Sequence, residues 1–168
     1  MEICARIVVI RKTPTSLFCS FSSCFCVGRI ALVNPQLVNE SLIAEALVHE
    51  AIHAYLYMHE PRPLWGLKPD VRQEPGAVHS PWTGRALPLC TFLHACFVWY
   101  GLFFFWGQVM CASHSPADEV RRGIARASSG FIKGPLLDQL GPERIGFIRD
   151  EVQAALAEMQ HNVLAVVA

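Results

Sequence analysis

Between Ala86 and Ala117 the chain carries no Asp, Glu, Lys or Arg. From Leu89 to Met110 it is apolar enough, and long enough as a helix, to cross a lipid bilayer. Two arrangements accommodate such a run: a helix that spans a membrane, or a helix enclosed by the rest of a protein core. The residues favour the second. Pro88 suits the first turn of a helix. Thr91, His94, Ala95, Val98 and Gly101 make a smaller, more polar stripe, while Phe92, Phe97, Trp99, Phe103 and Phe104 put bulk on the other faces. An ionisable His94 is better served by an interior partner than by lipid. Basic residues that would orient a span are sparse: Arg85 precedes it and, His114 apart, none follows until Arg121. The expectation is therefore a long buried core helix, with a membrane span as the alternative.

A second helix is expected upstream, over Val38 to Tyr57. Leu42, Ile43, Ala46, Leu47, Ala54 and Leu56 recur at roughly helical spacing, Asn39 or Ser41 is available as a cap, and Glu40 and Glu45 lie toward the positive end of the dipole. Within it runs His49-Glu50-Ala51-Ile52-His53, the HExxH pattern. Two imidazoles four residues apart on a helix point the same way, one turn over the other, so both can reach one ion. Glu50 lies beside them, placed to act on a metal-bound water or ligand without filling a coordination position. Two such imidazoles on a largely buried helix would be costly without a shared partner.

The remaining sequence reads as an α+β fold in a single domain, 1–168. With 168 residues, 52% of them hydrophobic and only 17% charged, the chain can bury a substantial core. Ile3 to Ile10 and Leu17 to Leu32 suggest two or three short N-terminal strands, and Pro61 to Pro81 an ordered loop. Ala117 to Ala127 reads as helix, Gly130 to Gly134 as a break, and Pro142 to Met159 as a last amphipathic helix. Fourteen basic and fourteen acidic residues balance, so no general electrostatic pull toward nucleic acid or an anionic membrane is expected. Seven cysteines, an odd number without paired CxxC units, suggest free thiols and a reducing, cytoplasmic setting. Glu2, Arg6, Arg11 and Lys12 leave no clean secretory signal.

Two helical His need a third ligand, and its identity separates enzyme classes. His59 stands at the metzincin spacing, but that pattern requires a Gly where this chain has Leu56. A gluzincin would use a carboxylate on the following helix, and Leu87 to Met110 contains none. It does contain His94, and a ligand on a packed helix would explain a His in so apolar a run. Arg121, Arg122 and Arg126 read as a solvated basic helical face.

Three segments together carry a resemblance: Ala46-Leu47-Val48-His49-Glu50-Ala51-Ile52-His53, then His79-Ser80-Pro81-Trp82-Thr83-Gly84-Arg85-Ala86-Leu87-Pro88-Leu89, then Phe92-Leu93-His94-Ala95. Over roughly Arg29 to Trp106 the chain resembles the HExxH-type peptide β-hydroxylases that depend on 2-oxoglutarate and act in the biosynthesis of ribosomally made, modified peptides. The resemblance implies a zincin-like fold around the metal helix. It also implies a non-haem Fe(II) site that activates dioxygen, decarboxylates 2-oxoglutarate and inserts oxygen at a side-chain Cβ of a precursor peptide. Carried over, His49, His53 and His94 are the iron ligands. Three neutral imidazoles differ from the usual two-His, one-carboxylate set, and an anionic co-substrate would offset the charge. Glu50 then orients a ligand or handles a proton. On chemical grounds Arg85 pairs with a carboxylate of 2-oxoglutarate. Trp82 is a candidate wall of the co-substrate pocket with packing as its competing role, and His79 is a candidate substrate contact. The stretch before Gly28 carries no motif of that family.

Two other readings stand beside this one. A zinc metallopeptidase would use Glu50 as general base on a zinc-bound water. A non-catalytic metal- or peptide-binding homologue would turn over neither 2-oxoglutarate nor peptide.

Overall fold

Arg29–Val33 (β3) is the strand around which the N-terminal elements assemble. Its Ile30, Ala31 and Leu32 are all buried, as expected of a central strand covered on both faces. Ile7–Arg11 (β1) pairs with it in parallel, from Ile7 opposite Arg29 to Arg11 opposite Val33. Cys19–Phe21 (β2) pairs antiparallel on its other side, with Ser20 opposite Leu32. The order is therefore β1-β3-β2. Parallel neighbours need a long connection, and the chain from β1 to β3 supplies one by laying down β2 on the way.

The computed structural model describes residues 6–59, 64–73, 75–112 and 116–167. Where the sequence suggests one domain, the chain gathers into two compact units, Met1–Pro61 and Arg62–Ala168. It is a mixed α+β protein with five helices and two small sheets among the described residues.

In the first unit, Asn34 ends β3 in the left-handed conformation, φ 53°, and is fully buried. Its amide donates to Thr13 Oγ1 and to the Thr15 and Leu17 carbonyls, and its oxygen accepts from the Thr13 N–H at 2.8 Å. One side chain thereby satisfies the loop that leaves β1. A short 3-10 turn, Pro35–Leu37, leads to helix α1, Glu40–His59. Of the two candidate caps it is Asn39 that acts, its Oδ1 accepting the Leu42 N–H at 3.0 Å. Ile43, Ala46 and Leu47 of α1 pack with Phe18, Ile30 and Leu32 of the sheet.

The second unit opens with a hairpin, Ala77–His79 (β4) against Ala86–Pro88 (β5). The expected loop thus ends in a strand, and Pro88 belongs to that strand rather than to the helix behind it. Helix α2, Leu89–Ala112, is the long apolar run. It is long and apolar enough to cross a membrane by composition, and it packs against α3, α5, β4 and β5. The stripe expected along it is not one environment: Thr91 is exposed, while His94 and Val98 are buried with Leu89, Phe92, Leu93, Cys96, Leu102, Phe103 and Trp106.

Helix α3, Ala117–Ile132, runs beyond the expected end at Ala127 and includes Gly130. The glycines serve close packing there instead of ending the helix. A Cβ on Gly123 would lie 2.3 Å from the Trp106 indole, and one on Gly130 would lie 2.2 Å from that of Trp82. Gln160 closes the end of α3, donating to the Phe131 and Gly134 carbonyls at 2.7 and 2.8 Å and accepting the Leu136 N–H.

The expected last helix is two: α4, Gly141–Phe147, and α5, Asp150–Val167. Between them Ile148 is extended and fully buried, bridging Leu67. The Lys68 N–H donates to the Phe147 carbonyl and the Arg149 N–H to that of Gly66. Pairing with the 66–68 segment draws these backbone groups out of the helical ladder, so an unbroken amphipathic pattern conceals a break.

Gly130→Ala should lower stability by about 1–3 kcal/mol, because a methyl group has no room beside Trp82. Chemical denaturation measures this, and an unchanged midpoint would contradict the packing described.

Candidate functional site

The two imidazoles of the HExxH pattern stand on successive turns of α1, as the spacing of four requires. Their ring centroids are 5.0 Å apart, and His53 stacks on Tyr57 one turn further at 6.1 Å. Burial pushes the His49 imidazole below its usual range, against the opposing pull of Glu50 and Glu45. His53 is driven down to about 4, by burial first and then by His49, with Glu50 again opposing. Both rings are therefore neutral at pH 7, which leaves a ring nitrogen lone pair on each for a metal ion. Burial, followed by Cys24 and Glu50, raises the Tyr57 phenol above its ordinary value.

Glu50 is the most constrained group of the site. It lies one turn beyond Ala46, which packs in the core under the sheet, and only 3% of it is exposed. Its two oxygens are held separately: Ser20 Oγ donates to Oε1 at 2.7 Å and Ser22 Oγ to Oε2 at 2.6 Å. Ser20 lies in β2 and Ser22 one residue beyond its end, and both hydroxyls meet the one carboxylate. Hydrogen bonds to a charged acceptor contribute about 1.5–3 kcal/mol each, and a buried carboxylate without them would be strongly unfavourable. This clamp is not legible in the sequence. Its trace there is the placing of Ser20 and Ser22 on either side of Phe21.

His59, at the end of α1, is exposed and lies against Tyr55, with centroids 4.3 Å apart. The other candidate residues belong to the second unit. His94 is buried in α2, edge-on to Trp65 at 4.7 Å. The segment His79 to Ala86 closes the β4–β5 hairpin, where the Ser80 N–H donates to the Arg85 carbonyl and the Gly84 N–H to that of Ser80. Arg85 and His79 are exposed there, and His79 Nδ1 lies 3.2 Å from the Gly84 carbonyl. Trp82 is held by packing: it stacks on Trp99, meets Phe131 edge-on, and donates its indole N–H to the Ala127 carbonyl at 2.9 Å. With the Lys133 ammonium on the Pro81 carbonyl, it pins the hairpin tip to α3. Arg121 of the basic face is exposed and pairs with Asp118 on its own helix.

Among the described residues no group of three or more His, Cys, Asp or Glu side chains is gathered as a metal cage. The donor chemistry that the first unit does present, two neutral imidazoles beside a hydrogen-bonded carboxylate, suits a divalent ion such as Zn or Fe(II). Compared with models of known protein families and with curated protein sequences, the chain matches none.

The depressed imidazoles fix a pH dependence for the metal-free protein. The unfolded chain protonates His53 near the ordinary imidazole value of 6.5, whereas the folded chain resists until about 4. Stability contributed by keeping the ring neutral is full above pH 6.5 and is lost as pH falls through that window. Denaturation midpoints at pH 7.5 and 5 should differ, and less so in His53→Gln. Equal slopes in both proteins would contradict this.

Proposed function

We propose that the chain is a non-haem iron oxygenase that depends on 2-oxoglutarate and hydroxylates a side-chain Cβ of a ribosomally made precursor peptide, built on a zincin-like metal helix. The observation that carries the metal part is the pair His49 and His53, one turn apart and held neutral by burial beside Glu50. The three sequence segments that resemble the HExxH-type hydroxylases carry the rest, including His94 as third ligand.

In this reading His49 and His53 hold the ion through their ring nitrogens. Fe(II) with 2-oxoglutarate supplies the oxidising chemistry when bound. Arg85 grips a carboxylate of the co-substrate through two parallel hydrogen bonds, a role open to an exposed guanidinium. Glu50 keeps a fixed orientation through its two serine donors, so it orients a ligand or accepts a proton at a set place. His79, on the same hairpin as Arg85, is the candidate contact for the peptide.

The reading is tested by anaerobic titration of the Fe(II)-loaded protein with 2-oxoglutarate, which should produce the visible charge-transfer band of the chelate. A protein that retains Zn tightly, gives no band and cleaves peptides would be a zinc peptidase with Glu50 as general base. His94→Ala should lose bound metal, and normal metal content would remove His94 from the site. Arg85→Ala should retain metal but bind 2-oxoglutarate on the order of tenfold more weakly or worse, and unchanged affinity would refute its role.

A further inference from the structure

We infer that Ser20 and Ser22 are positioning residues of the HExxH site, acting on the bound ion through Glu50; this rests on the metal reading above. Each carboxylate oxygen has its own donor, at 2.7 and 2.6 Å, one from β2 and one from the residue just past its end. A single hydroxyl would leave the carboxylate free to pivot about its Cγ–Cδ axis and about the remaining hydrogen bond. Two hydroxyls, one on each oxygen, fix the plane of the group as well as its place.

The strand that carries Ser20 and leads directly into Ser22 is itself fixed. Ser20 lies opposite Leu32 in the antiparallel ladder, and Leu32 belongs to the cluster that seats Ala46 of α1. Because side chains alternate along a strand, a slip of β2 by one residue would turn the Ser20 hydroxyl away and present Cys19 or Phe21 instead, and would displace Ser22, which follows directly on the strand. The register of β2 thereby sets the direction of the acidic group beside His49 and His53. Each oxygen retains acceptor capacity after one hydrogen bond, so the clamped carboxylate can still take a proton or a hydrogen bond from a ligand on the ion.

A purely mechanical role, fastening strand to helix, predicts a loss of stability alone. A positioning role predicts a change at the metal. The experiment is a titration of the full chain with Co(II), whose visible bands report the geometry around the ion, in wild type, Ser20→Ala/Ser22→Ala and Ser20→Thr/Ser22→Thr. Wild type should bind one equivalent. The alanine variant should bind on the order of tenfold more weakly with shifted bands, and the threonine variant, which restores both hydroxyls, should return toward wild type. In a Glu50→Ala background, where no side chain is left to position, the same alanine substitutions should add no further change to the bands. If the double variant does not fold, Ser20→Ala and Ser22→Ala singly, each leaving one donor, carry the same expectation. Wild-type bands and affinity in the alanine variants, with only a lower melting temperature, would overturn the inference and leave the metal reading standing. A folded wild-type chain that takes up no Co(II) would overturn both.

Discussion

A carboxylate buried inside a small apolar unit has to be given hydrogen-bond donors, and the first unit is arranged around that requirement. Glu50 is 3% exposed, and its donors sit on Ser20 and Ser22. To put them there, β2 must lie along β3 in one register, and α1 must dock on the sheet through Ile43, Ala46 and Leu47. Asn39 sets where α1 begins, and Asn34 ties down the loop leading from β1 toward β2. His49 and His53 inherit their places from this framework. Their neutrality follows from burial outweighing the attraction of nearby acidic groups.

The second unit solves a different problem, the packing of a long helix without charges, which buries most of its first half and leaves Phe104 and Met110 exposed. Hydrophobic residues on most of its faces would fit either lipid or a core, and α2 packs against two helices and a hairpin. Large aromatic side chains leave little tolerance in such packing. Trp82 and Trp106 come so close to α3 that Gly130 and Gly123 are the residues that fit. The hairpin bearing His79 and Arg85 is fastened to the same helix by Trp82, so two candidate contacts for co-substrate and peptide stand on an anchored support.

Much of this was legible in the sequence, because period and punctuation reflect local physics. Apolar spacing placed α1 and α2 to within a few residues, and β-branched runs marked the N-terminal strands. What escaped depended on contacts distant along the chain. Gly130 looks like a helix breaker until Trp82 is set beside it. Pro142 to Met159 reads as one helix because the residues that interrupt it, Ile148 and Arg149, are drawn out by backbone groups of Gly66 to Lys68. The serine clamp escaped for the same reason: neither Ser20 nor Ser22 resembles anything but a strand residue until α1 brings Glu50 to it. The imidazole pair was the most legible part of the candidate site, since its geometry is set within a single helix.

The proposed function depends on His49 and His53 together binding a metal ion. X-ray absorption of the protein reconstituted anaerobically with Fe(II) measures this most directly, through the scattering of imidazole ligands around the ion. One ion per chain is expected, with imidazole scattering that falls in His49→Ala and in His53→Ala. A folded wild-type protein that holds no ion, or one whose bound ion has the same surroundings in both variants, would contradict it.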